Sequence, residues 1–266
     1  MPTALAKDGT TIAYDVTGSG PAVILVDGAL GARTTFGGDS ELARLLAPDF
    51  AVYTYDRRGR GASSDTQPFA VAREVEDIEA LIDVAGGEAY LYGISSGGAL
   101  ALEAAIGLPN KVKKLAIYEA PYDSSAAGIA AWKTYWTKLH ELIAAGQRGD
   151  AVALFMQFVG APDDMVAGMR QSPMWPTLEA VAPTLPYDAA ALGVDRTVPT
   201  ERAATVTAQT LIMDGGANLE IMPFMRASAE ALTAAIPHAQ HQILEGQRHD
   251  VDAKVIAPVL TAFFKS

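Results

Sequence analysis

The pentapeptide Gly93-Ile94-Ser95-Ser96-Gly97 sets a serine between two glycines, after one apolar run and before a run of small residues. A hydroxyl in that position becomes a nucleophile if a base takes its proton and N–H groups accept the developing charge. The chain has no cysteine, which excludes a thiolate nucleophile, disulfides, iron–sulfur clusters and every cysteine-containing zinc site. It has 4 histidines, so any imidazole base comes from His140, His238, His241 or His249. His140 falls in a predicted helix and reads as a surface or lid residue. His238 and His241 bracket the start of the last predicted strand and are expected to be exposed. His249 follows that strand, at the C-terminal edge of the sheet, where it can come within hydrogen-bond reach of Ser95.

Bringing such residues together requires a frame, and periodicity supplies one. Thr11–Val16, Phe50–Tyr55, Ala89–Tyr92, Val112–Tyr118, Thr210–Met213 and His241–Leu244 read as strands. Ala22–Val26 (AVILV) is a continuous apolar run, as expected of a strand buried on both faces. Helical spacing occurs at Ser40–Leu46, Val71–Val84, Gly97–Ile106, near Phe224–Ile236 and at Val255–Phe264. Strand–helix alternation predicts a parallel sheet with right-handed crossovers. Ser95 then stands at a strand-to-helix turn, and the Ser96 N–H opens the helix and faces the same place. From about Pro121 to about Ala204 the pattern is helical throughout. The expected organisation is a core of residues 1–120 and 205–266 interrupted by a helical lid of residues 121–204. Trp132, Trp136, Met156 and Trp175 lie in that insertion. They read either as its own core or as the apolar lining of a substrate pocket.

The chain has 266 residues, 50% of them apolar and 19% charged, which fits a globular domain with a large core. The net charge is −11, so nucleic acid and anionic membranes are poor partners. The N-terminus lacks a signal-peptide pattern and no run approaches the roughly 20 apolar residues of a membrane span. A cytoplasmic protein is expected, with a homodimer allowed and no metal or organic cofactor required.

Four landmarks in order make the chain similar to the α/β-hydrolase family over nearly its whole length. Asp27-Gly28-Ala29 follows the buried strand, where the family usually has His-Gly-x. Asp56-Arg57-Arg58-Gly59-Arg60-Gly61-Ala62-Ser63 fits the D-x-R-G-x-G-x-S turn. The Ser95 elbow comes next, and Gly246-Gln247-Arg248-His249 stands where the family keeps its catalytic histidine. The resemblance implies a mostly parallel eight-stranded sheet flanked by helices, with a helical cap after the sixth strand. It implies Ser95 as nucleophile, His249 as base, and an oxyanion hole from the N–H groups of Ser96 and Ala29, with Gly28 as the neighbouring alternative. Asp56 and Arg58 read as structural.

The acid departs from the common pattern. Asn218 occupies its usual place after the seventh strand. An asparagine can orient an imidazole but cannot stabilise imidazolium by charge. Some members supply the acid at the end of the sixth strand, and zearalenone-type lactonases look similar in this respect and in a Ser-Ser-Gly elbow. That resemblance points to Glu119, with Asp214, Glu220 and Asp250 as alternatives. An Asn218→Asp change is expected to be tolerated if residue 218 reaches His249. The resulting expectation is hydrolysis of a small hydrophobic ester or lactone through an acyl-enzyme. An elbow serine disfavours haloalkane dehalogenase and epoxide hydrolase chemistry. Acyltransferase, thioesterase or C–C hydrolase chemistry on the same pair, or a non-enzymatic ligand-binding protein, are the alternatives.

Overall fold

The computed structural model of the protein describes residues 1–33, 40–219 and 222–266. Eight strands form one sheet: β1 (Thr3–Leu5), β2 (Thr11–Thr17), β3 (Ala22–Val26), β4 (Ala51–Tyr55), β5 (Ala89–Ile94), β6 (Val112–Tyr118), β7 (Gln209–Gly215) and β8 (Ala239–Leu244). Their spatial order is β1-β2-β4-β3-β5-β6-β7-β8. β2 runs antiparallel to β1 and β4, and every pairing from β4 onward is parallel. This is the α/β-hydrolase architecture. β1 is the strand that periodicity did not reveal, because three residues are too few to show alternation.

The sheet is buried on both faces, and the period of two divides its residues between them. Ile24 and Val26 join one core cluster with Leu115 and Ile117. Val23 and Leu25 join the other with Ala116 and Tyr118. The central strands β3 and β5 are therefore apolar at nearly every position, which is why AVILV reads as a run rather than an alternation.

Helices cover these faces. α1 (Glu41–Leu46), α2 (Val71–Val84), α3 (Ser96–Gly107), α10 (Pro223–Ala235) and α11 (Ala253–Lys265) follow strands. Ser40 caps α1 by accepting from the Ala43 N–H at 3.2 Å. Between β6 and β7 the described chain is helical: α4 (Ala126–Ala144), α5 (Arg148–Phe158), α6 (Asp163–Arg170), α7 (Trp175–Val181), α8 (Leu185–Leu192) and α9 (Thr200–Ala203). α8 packs on α3 and links this segment to the sheet. No described helix is long and apolar enough to cross a membrane.

Two expectations about the last strand need correction. β8 begins at Ala239, so His241 lies inside it. The His241 side chain is only 21% exposed, because it lies against Asp214 on the neighbouring strand, Nε2 to Oδ1 2.5 Å. His238 is exposed, as expected.

Candidate active site

The parallel strands end along one edge, where α/β sheets place their ligands. Asp27 and Gly28 follow β3, Asp56 and Arg57 follow β4, Ser95 follows β5, Glu119 follows β6, Asn218 follows β7 and His249 follows β8. Neighbouring strands carry their end residues to adjacent places. The Ser95 N–H donates to Tyr118 O at 3.0 Å, and the Glu119 N–H donates to Met213 O at 3.0 Å.

Ser95 has φ 58° and ψ −134°, a backbone conformation that costs a non-glycine residue of the order of 1–3 kcal/mol. The turn is tight enough to require both flanking glycines. A Cβ at Gly93 would come 2.4 Å from Gly97 O, and one at Gly97 would come 2.2 Å from Val26 O. Ser96 starts α3, so its N–H is among those left free at a helix start. A Cβ at Gly28 would lie 3.0 Å from Ser95 Cβ and 3.5 Å from Ser95 Oγ. The Asp27-Gly28-Ala29 turn therefore lies directly against the elbow serine.

Glu119 also has positive φ, 46°, and is 2% exposed. Its Oε1 accepts the Gly215 N–H at 2.8 Å, and Asn218 Nδ2 lies 2.8 Å from Oε1 and 2.7 Å from Oε2. Oε2 is also 2.7 Å from His249 Nδ1. A carboxylate only accepts, so Nδ1 carries a hydrogen, and in the neutral imidazole Nε2 then keeps its lone pair. The histidine loop is fixed by backbone contacts: Tyr118 Oη donates to Arg248 O at 2.5 Å, and the Ala217 N–H donates to Gln247 O at 3.0 Å. Gly215 permits this approach, since a Cβ there would come 2.4 Å from Gln247 O.

The other carboxylates weighed from sequence are elsewhere. Asp214 is occupied by His241 and by Arg226, Nε to Oδ2 2.5 Å. Asp250 is exposed, and Glu220 lies outside the described residues. Asn218 binds the carboxylate rather than the imidazole. This overturns the reason for expecting aspartate there to be tolerated.

A buried charged network supports the opposite side, and sequence reasoning missed it. Asp188 on α8 takes the Ser96 hydroxyl and Arg57 Nη1 on Oδ1, at 2.9 and 2.5 Å, and Arg60 Nη2 on Oδ2 at 2.6 Å. Arg60 Nη1 donates to Gly28 O at 2.7 Å and Gly31 O at 3.0 Å, and Arg60 Nε donates to Thr184 Oγ1 at 2.9 Å. Arg57 pairs with Glu74 through Nε and Nη2, at 2.7 and 2.8 Å, and reaches Asp27 O at 3.3 Å. Burial acts to raise the Asp188 carboxyl, but the Arg57 and Arg60 charges outweigh it and hold Asp188 below the ordinary 3.8. Burial raises the Asp27 carboxyl, against the pull of Arg60 and Arg57. Asp56 and Arg58 do tie loops together. Asp56 accepts the N–H groups of Arg33 and Ala62 at 2.8 and 2.9 Å, and Arg58 pairs with Asp77 and Asp8. The sequence signal that could have found the network is the run Arg57-Arg58-Gly59-Arg60, three cations too close together to remain unpaired in a buried turn.

The four insertion residues named from sequence pack chiefly within the insertion. Trp132 is 2% exposed, donates from Nε1 to Gly193 O at 2.9 Å, and lies against Tyr135 and Phe158. Trp136 stacks on His140, Trp175 is buried under Arg170, and Met156 packs on the same cluster. None of their hydrogen-bond or ring contacts is to Ser95, Glu119 or His249. A groove of about 1090 Å³ runs between β8 and α11, lined by Gln209, His238, Gln240, Pro258 and Phe263, away from all of these residues.

Comparison with known proteins agrees with this fold. The alpha/beta hydrolase family model matches residues 23–255. An alpha/beta hydrolase from Sphaerobacter thermophilus DSM 20745 is 47% identical with a TM-score of 0.86, covering 99% of this chain and 100% of that one. The uncharacterized hydrolase YraK of Bacillus subtilis (strain 168) is 33% identical over 119 residues, 43% of this chain and 43% of that protein. Zearalenone hydrolase of Bionectria ochroleuca is 28% identical over 122 residues, 43% of this chain and 45% of that protein. The chain thus aligns with less than half the length of these two curated relatives.

Proposed function

The chain belongs to the alpha/beta hydrolase family, and from that premise we propose that it is a serine hydrolase acting on a carboxylic ester or lactone. The observation that carries this reading is the 2.7 Å contact of Glu119 Oε2 with His249 Nδ1, on the sheet edge that also bears the strained Ser95. With Nδ1–H directed at the carboxylate, Nε2 is the atom free to take a proton from Ser95 Oγ. As Oγ bonds to the substrate carbonyl carbon, that proton passes to Nε2 and Glu119 stabilises the imidazolium. The carbonyl oxygen becomes an oxyanion, held by the N–H groups of Ser96 and of the Gly28–Ala29 turn. Collapse breaks the bond to the alkoxy group, which leaves with the proton from Nε2. A water molecule then attacks the acyl-serine by the same route, with His249 again taking the proton, and Ser95 is regenerated. For a lactone the leaving alcohol stays attached to the acyl chain, so the product is a single hydroxy acid.

The helical segment of residues 121–204 serves as the cap in this reading. Asp188 and Arg60 are positioning residues. They reach the chemistry through Ser96 and the carbonyl of Gly28. The test is a panel of activated esters and lactones with the wild type and with Ser95→Ala. Turnover by the wild type and its loss in the variant is the expected result. Equal turnover by both proteins would remove Ser95 from the mechanism.

A further inference from the structure

Four arginines of this chain are more than nine-tenths buried: Arg57, Arg58, Arg60 and Arg196. A guanidinium taken out of water costs several kcal/mol unless it is paired and hydrogen-bonded. The first three are paired, each with at least one buried carboxylate at 2.5–2.8 Å. Arg196 is the exception. Its Nε donates to Pro121 O. Among the described residues neither Nη nitrogen makes a hydrogen bond, and no carboxylate lies within ion-pair distance. Asp123 is the anion whose field it feels most, without contact. The Nη nitrogens are also not sealed in. Among the described residues, the enclosed unpartnered side-chain atoms are Arg33 Nε and the hydroxyls of Tyr55 and Tyr122.

The surroundings of Arg196 have a definite chemistry. Its guanidinium carbon lies 4.7 Å from the Phe224 ring centre, 5.3 Å from that of Phe158 and 5.6 Å from that of Trp132. Such contacts favour a cation. They supply no acceptor for its remaining N–H groups. Trp132 and Phe158 come from α4 and α5, whereas Phe224 comes from α10 on the core, so the cluster spans the seam between the two. Pro121 is two residues beyond Glu119, and the Asp123 N–H donates to Arg196 O at 2.9 Å. Arg196 itself has φ 57°, so a strained backbone holds it in place. Burial draws the guanidinium down to about 10, so it stays charged at neutral pH.

We infer that Arg196, with the rings of Trp132, Phe158 and Phe224, forms a receptor for the carboxylate of a small planar or apolar ligand at the seam beside Glu119. The free N–H groups match a carboxylate in number and geometry, and the rings match an unsaturated or aromatic body. The net charge of −11 repels anions generally. Among the described residues, a buried guanidinium with no carboxylate partner therefore selects where one can settle. Resting on the serine-hydrolase reading, the ligand is an ester or lactone that carries a separate carboxylate. This differs from the purely apolar substrate that composition leads one to expect.

The test is binding, followed by tryptophan fluorescence, of sodium benzoate and of its neutral analogue benzamide. Wild-type protein is expected to bind benzoate at least about tenfold more tightly than benzamide, the order of one charge-assisted hydrogen-bonded pair. Folded Arg196→Gln, checked by circular dichroism, should lose that preference. Arg196→Lys keeps the charge without the fork, and should retain a smaller preference. Equal affinities in the wild type would overturn the inference, as would an undiminished preference in either variant. Benzoate should also inhibit ester hydrolysis competitively. Benzoate preference without ester turnover would keep the receptor and remove the hydrolase reading. Turnover without benzoate preference would do the reverse.

Discussion

Around the histidine, Glu119 meets a backbone N–H, a side-chain amide and one imidazole. Around Gly28, two guanidiniums and two carboxylates lie buried together, Arg57 and Arg60 with Glu74 and Asp188. The first cluster satisfies a single carboxylate with dipoles, so its remaining attraction is available to an imidazolium when one forms. The second neutralises charge with charge and has no capacity left over. A group that must respond to a moving proton suits the first arrangement. A loop that must not move suits the second, because Asp188 bridges both guanidiniums and its removal leaves Arg60 stranded. Both lie at the same sheet edge, so the contrast is one of role rather than of burial.

The comparison can be broken most severely at Glu119. Glu119→Gln keeps the shape but cannot offset the imidazolium charge. Its kcat should fall by about 10⁴-fold with little change in stability, as measured by initial rates and thermal unfolding. A rate near wild type would move the acid elsewhere. Asp188→Ala tests the other cluster and should show the opposite balance. It strands Arg60 and leaves Arg57 with Glu74 alone, so urea unfolding should report a loss of about 3–5 kcal/mol. A loss under about 1 kcal/mol would show that the network is dispensable.

Asn218→Asp sharpens the contrast by giving the dipolar cluster a second charge. Two carboxylates at 2.7–2.8 Å cannot both ionise readily, so they would hold a proton between them. A decrease in kcat/KM of about tenfold to a hundredfold is expected near pH 7, deepening as the pH rises and that proton is lost. Unchanged kinetics would mean that Asn218 does not govern Glu119. The smallest effect concerns pH. The guanidiniums hold Asp188 below 3.8 when folded, so its contribution is present above that value and is lost as the pH falls below it, through the depressed value of the folded state. Asp188→Asn, weaker at neutral pH, should therefore lose less further stability than the wild type between about pH 5 and about pH 3. An equal acid loss in both proteins would remove Asp188 from the acid sensitivity.

What the sequence revealed, and what it concealed, follows the range of the interactions. The Ser95 elbow was legible because its requirements are local: glycines at 93 and 97 where no Cβ fits, between a strand and a helix. The parallel strands were legible from their apolar runs, and β1 was too short to show one. Glu119 emerged only through resemblance, since a carboxylate ending a strand carries no local mark of its partner 130 positions later. The pairing of Asp188 with Arg57, Arg60 and Ser96 was invisible. It joins residues 92 to 131 positions apart, and helical periodicity says nothing of which polar residue faces a neighbour. Asp214 looked like a triad candidate for the same reason, and only the neighbouring strand shows that His241 and Arg226 claim it.

The central claim is that Ser95 is an activated nucleophile, and its most direct test is the intact mass of the protein after brief exposure to a fluorophosphonate. The expected result is one phosphonyl adduct per chain, located on Ser95 by peptide mapping, formed quickly in the wild type and absent from Ser95→Ala. Folded wild-type protein that gains no adduct, or gains it on another residue, would contradict the claim.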